Sequence, residues 1–183
     1  MMAHNARPVM TSKRPPPPLD EDALRELALR YVGRFATSRG KLLAYLARKL
    51  RERGWGEEAP ADPEALVARF AELGYVDDSG FALMKSAALG RHGYGARRIT
   101  ETLRAAGIEE ADRGAADAQA QADRWAAADR FARRKRIGPY AMQAPDPKGR
   151  EKAIAAFLRA GHDYALARRW VDAAPGDVPE AED

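Results

Sequence analysis

The stretch GYVDD at residues 74–78 contains Tyr-x-Asp-Asp, a pattern in which metal-dependent polymerases use neighbouring carboxylates to hold catalytic ions. That chemistry needs strands around Asp77 and Asp78 and a further carboxylate delivered by another strand. The flanks here, ALVARFAELG and SGFALMKSAALG, are built from strong helix formers instead. Between two helices the same residues have structural roles. Gly74 stands where a left-handed residue ends the first helix, and Tyr75 follows where it can touch Phe70. Asp77 as N-cap puts Val76 and Phe81 at the spacing of a hydrophobic staple. Asp78 falls in the first turn, where a carboxylate meets the positive end of the helix dipole. Gly74, Tyr75, Asp77, Asp78 and Phe81 are therefore expected to cap and seal a corner, and metal catalysis is the remote alternative.

Other catalytic chemistry finds no foothold. Cysteine is absent, which removes thiolate nucleophiles, thiolate metal sites and disulfides. His4, His92 and His162 have no companion at metal-ligand spacing, and no GxxxxGK[ST], GxSxG or HExxH occurs. The chain is expected to be no enzyme and to need no cofactor or metal.

Basic residues offer a different chemistry, the binding of polyanions. The densest run is RFARRKRIG at 130–138, with Arg130, Arg133, Arg134, Lys135 and Arg136. Cations favour the last turn of a helix, and Gly138-Pro139 stop this one, which accounts for one or two of the five. The rest suit phosphate groups or an acidic protein face. In GARRITETLRAAG (95–107), Arg97, Glu101 and Arg104 share one face while Arg98 points elsewhere, and Arg97 can pair with Glu101. The aromatics Trp125, Phe131, Phe157, Tyr164 and Trp170 recur at helical spacing beside alanines and read as core, whereas Trp55 and Tyr140 fall in loops.

The elements that position these residues are helices. The chain has 183 residues, 45% hydrophobic and 32% charged, without an alternating β-branched run. No apolar run approaches the ~20 residues of a membrane helix. The N-terminus lacks the apolar core of a signal peptide, and a reducing cytoplasm is the expected setting. Apolar spacing and caps predict helices over about 19–35, 38–53, 62–73, 78–91, 95–106, 109–121, 122–137, 148–160 and 163–173. In the second, Leu43, Leu46, Ala47 and Leu50 form the apolar stripe. GARRITETLRAAG (95–107) and GREKAIAAFLRAG (149–161) run from glycine to glycine over equal lengths, and GKLLAYLARKLRERG (40–54) holds the same middle place. The fold is expected to be all-α, with three three-helix units at 19–76, 77–121 and 122–174. A disordered proline-rich leader (1–18) and a disordered acidic tail (175–183) flank them.

Charge follows the same division. The leader carries Arg7, Lys13 and Arg14 without an acid, and the tail Asp177, Glu180, Glu182 and Asp183 without a base, so a formal net charge of +4 becomes +5 over the body. Residues 25–53 balance to +7, 57–78 to −6, 85–104 to +4 and 109–117 to −3. Stacked units can line up a basic face, against which the acidic tail can compete.

In order and spacing, LGYVDDSGFA (73–82), GYGARRITETLRAAGI (93–108), YVGRFATSRGKLLAYLARKL (31–50) and AAADRFARRKRIGPY (126–140) resemble the RecX family of bacterial RecA regulators. The resemblance covers about 19–174. The chain departs from it at the longer loop RERGWGEEAPADP and at His162, where a phenylalanine is common. The resemblance implies tandem three-helix repeats in an elongated, curved array and a monomer. It also implies binding to the RecA filament on single-stranded DNA, inhibiting ATP hydrolysis, strand exchange and co-protease activity in recombination, DNA repair and the SOS response. Arg97, Arg98, Arg104, Arg130, Arg133, Arg134, Lys135 and Arg136 are the candidate contacts to RecA or DNA. A free-standing DNA-binding protein with helix-turn-helix-like modules is the alternative.

Overall fold

The structure, a computed structural model, describes residues 16–181. The leader expected over 1–18 therefore lies mostly outside the described residues, as do the last two positions of the tail. Nine α-helices are formed among the described residues: α1 (Glu21–Arg34), α2 (Arg39–Arg53), α3 (Pro63–Glu72), α4 (Asp78–Arg91), α5 (Ala96–Ala105), α6 (Glu110–Ala122), α7 (Arg124–Lys135), α8 (Pro147–Arg159) and α9 (Tyr164–Asp172). A short 3-10 turn (Gly138–Tyr140) follows α7, and no β-strand is formed among the described residues.

Most helix starts follow from a side chain that satisfies an orphan N–H. Asp20, Ser38, Asp62, Asp77, Asp146 and Asp163 each accept a bond from a backbone N–H in the first turn. Proline at the first position reinforces α3 and α8.

The buried apolar residues fall into three clusters that follow the chain. The first gathers Leu19, Leu24, Ala28, Leu42, Leu46, Val67, Phe70 and Val76. The second gathers residues from Phe81 to Ala120, the third residues from Ala128 to Val171. Tyr94, half-buried, packs against both the second and the third cluster. On α2 the buried positions are Leu42 and Leu46, with Leu43 and Leu50 half-buried, so the core-facing stripe is turned by one residue from the expected one. Tyr164 is exposed rather than core, because it opens α9 with its ring outward, whereas Phe131, Phe157 and Trp170 are buried.

Two seams join neighbouring segments by the same device. At the first, Ser38 Oγ donates to Ala106 O, and Gly40 meets Gly107 so closely that a Cβ on it would stand 2.8 Å from the Gly107 Cα. At the second, the N–H of Gly95 donates to Ala160 O (2.9 Å) and that of Arg97 to Gly161 O (3.3 Å). A Cβ on Gly95 would fall 2.4 Å from the Gly161 carbonyl. In each, the start of a middle helix (α2, α5) docks on the glycine corner ending the next middle helix (α5, α8). The remaining corner, after α2, is covered by the chain itself. Leu19 donates to Gly54 O and Gly56 donates back to Leu19 O, both at 2.9 Å, while Arg53 donates twice to Pro17 O. Leu19 is fully buried as a result. At the other end, where a disordered tail is expected, Gly176 donates to Pro139 O (2.8 Å) and Glu180 O accepts from Arg169 (2.8 Å).

Candidate functional site

The GYVDD corner is built as helix chemistry. Gly74 has φ of 75°, its N–H donates to Ala71 O (2.9 Å), and that of Tyr75 donates to Phe70 O (2.9 Å). This paired closure of α3 is the one in which glycine costs least. The Tyr75 ring stands edge-on to Phe70 at 5.5 Å. Asp77 Oδ1 accepts from Gly80 N–H at 2.9 Å. Val76 packs into the first cluster and Phe81 into the second, so the pair expected as a staple is divided between two cores.

Asp78 does more than meet a helix dipole. It is buried, and its two oxygens accept from the backbone N–H (2.8 Å) and Nε (3.0 Å) of Arg39 at the start of α2. Arg39 also donates to Asp112 of α6, whose other oxygen accepts from Ser79 Oγ (3.2 Å). The bond to Asp78 and the nearby carboxylates raise the Arg39 pKa above its ordinary value. Asp77 and Asp78 thus have different partners, neither shared, and form a cap and an inter-helix latch. Among the described residues no group of three or more His, Asp or Glu is arranged to hold a metal ion.

The candidate basic residues divide into those engaged at seams and those left in solvent. Arg97 donates to Leu158 O across the second seam and lies 3.8 Å from Glu101. Arg130 Nε donates to Gly90 O (3.0 Å) and Arg134 to His92 O, so both bind carbonyls at the C-terminal end of α4. Arg133 donates to Tyr140 Oη (2.9 Å), stacks over its ring at 4.6 Å, and pairs with Asp129 at 3.7 Å. The Tyr140 hydroxyl donates to Asp129, and this bond and partial burial push its pKa up. Arg98, Arg104, Lys135 and Arg136 are exposed and make no side-chain hydrogen bond or ion pair among the described residues.

Arg136 ends α7 in the left-handed region (φ 54°, ψ 52°) and is the non-glycine residue found there among the described residues. Gly93 has the matching place after α4: Tyr94 N–H reaches Leu89 O as Ile137 N–H reaches Ala132 O. At Gly93 a Cβ would meet the Phe131 backbone at 2.8 Å, so glycine is demanded by packing as well as by φ.

Sequence reasoning missed Arg91 at this surface and the place of His162 at the second seam. Arg91 is exposed and without a polar partner among the described residues, and it stands beside His92, Arg130, Arg133 and Arg134 around one depression. Its signal was its place in the last turn of α4, but nothing in the spacing links it to α7, about 40 residues on. His162 is buried at the second seam, its Nε2 at 3.0 Å from Gly93 O. Burial lowers its pKa, and the carbonyl contact offsets this in part.

No protein-family model matches the chain. The regulatory protein RecX of Myxococcus xanthus (strain DK1622) is 33% identical over 163 residues, spanning 83% of this chain and 86% of that protein. The regulatory protein RecX of Mycobacterium sp. (strain KMS) is 34% identical over 103 residues, 55% of this chain and 54% of its own. Among solved structures, RecX from Lactobacillus salivarius aligns with a TM-score of 0.56 at 16% identity, over 80% of this chain and 90% of that one. A second crystal structure, of a regulatory protein RecX, gives a TM-score of 0.56 at 20% identity, over 81% and 75%. The helical fold is the one those structures share, and by sequence the chain belongs to the RecX family of regulatory proteins.

Proposed function

We propose that this protein is a non-enzymatic regulator of the RecA recombinase, acting as a monomer in the cytoplasm. It binds RecA filaments on single-stranded DNA and restrains their ATPase, strand-exchange and co-protease activities in recombination, DNA repair and the SOS response. Membership in the RecX family is the observation that carries this reading. The division of charge supports it. Several acidic side chains are used within the molecule: Asp62, Asp77, Asp146 and Asp163 cap helices, while Asp78 and Asp112 hold Arg39. Arg98, Arg104, Lys135 and Arg136 keep their charges in solvent, available to a polyanionic filament. The three segments, stacked as an elongated, curved array, present these charges along the filament, and many dispersed contacts share the binding energy.

Co-sedimentation tests the reading. The protein is expected to pellet with RecA filaments on single-stranded DNA at near-stoichiometric ratio, and much less with bare single-stranded or duplex DNA at physiological salt. Equal pelleting with bare DNA and with filaments would contradict it.

A further inference from the structure

The α4–α7 seam carries a depression of about 290 Å³ lined by Arg91, His92, Arg130, Arg133 and Arg134. Four arginines and a histidine line it, and no aliphatic residue does. Three of the four are held in place: Arg130 by Gly90 O at 3.0 Å, Arg134 by His92 O, and Arg133 by the Tyr140 hydroxyl and ring. Arg134 also lies over the rings of Phe131 (5.6 Å) and Tyr94 (5.8 Å). A guanidinium has five N–H donors, so each of these arginines keeps donors after its structural bond. Arg91 keeps all of them. Two carboxylates stand nearby: Asp129, which is shared between Arg133 and Tyr140, and Asp123, in the adjoining depression, which accepts from Gln119 at 2.9 Å.

We infer that this cradle binds the phosphodiester groups of a nucleic-acid strand directly. Planar forks of donors match phosphate oxygens two at a time, which a carboxylate-lined or apolar wall does not offer. The arginines bonded to carbonyls and rings have already lost much of the side-chain freedom that binding otherwise removes. An acidic protein face is the poorer fit, because the buried centre of a protein interface is depleted of charged residues and filled by large apolar anchors, whereas arginines and one histidine line this depression. The inference deepens the regulator reading, by giving direct strand contact to one site, and it survives or fails separately from it.

The test uses the full chain and labelled oligonucleotides, single-stranded and duplex, without RecA, and a separate assay of RecA inhibition by the same proteins. Arg91→Gln and Arg91→Gln/Arg133→Gln are chosen because neither side chain holds a helix end; circular dichroism checks the fold, and the single variant stands if the double one is unstable. Loss of one charged contact is expected to weaken binding roughly tenfold. It should also lower the slope of log affinity against log salt by about 0.7 on a single strand and about 0.9 on a duplex. The arm with the larger loss identifies the strand form the cradle takes. Unchanged affinity and slope on both forms overturn the inference. Loss of RecA inhibition with unchanged oligonucleotide binding also overturns it, and assigns the cradle to an acidic protein face. Loss of oligonucleotide binding by a protein whose native form never inhibits RecA upholds the cradle and removes the regulator reading.

Discussion

Arg39 and Asp78 show how much one pair of residues carries. Asp78 has a buried side chain, and both its oxygens are taken by Arg39, which lies 39 residues away in the sequence. Arg39→Ala leaves that carboxylate without its guanidinium, and a loss of about 3 kcal/mol is expected. Asp77→Ala removes only a helix cap and should cost about 1 kcal/mol. Urea unfolding of the two variants checks the ranking, and equal losses would mean that the latch contributes no more than a cap. His162 makes a second residue-scale prediction. Burial lowers its folded pKa, so the folded state prefers the neutral ring while the unfolded state takes up a proton below its ordinary value of about 6.5. The stability tied to this group is present above that value and declines as pH falls toward the folded pKa. His162→Phe should flatten the dependence of the urea midpoint on pH in this window. A dependence as steep as the native one would assign it to other groups.

At the scale of elements, the glycine corners decide how neighbouring segments meet. Gly95 has an ordinary φ, yet its Cβ position is filled by the Gly161 backbone. Gly95→Ala should therefore destabilise by about 1–3 kcal/mol through forced separation of α5 from the α8–α9 corner. Gly114, inside α6, has nothing within 4 Å of its Cβ position, and Gly114→Ala should stabilise by about 0.5–1 kcal/mol. Thermal unfolding of the pair distinguishes the packing cost from propensity alone. This contrast also marks what the sequence made legible. Helix starts at Ser38, Asp62 and Asp77 and the stop at Gly74 were readable because caps act within four residues of themselves. The Arg39–Asp78–Asp112 network and the Gly40–Gly107 approach were not, since they join residues 39 to 73 positions apart with no periodicity between them. The basic run was visible at 130–136, but its division into seam-binding and solvent-facing members depends on where α4 ends in space. That Val76 packs into the first cluster and Phe81 into the second was hidden for the same reason.

For the whole molecule, three apolar clusters joined by two similar seams leave one end covered by Pro17–Leu19 and the other crossed by the tail at Gly176 and Glu180. Covered ends suit the proposed stack of three segments, because in such a stack inner units bury their open faces against neighbours and the terminal ones have none. The proposed role gives the basic side chains that remain in solvent to a large polyanion. The RecA DNA-dependent ATPase tests that account most directly. Added to preformed filaments on single-stranded DNA at a stoichiometric ratio, the protein is expected to reduce the steady-state rate of ATP hydrolysis, with the effect weakening as salt is raised. An unchanged rate at that ratio and low salt would contradict it.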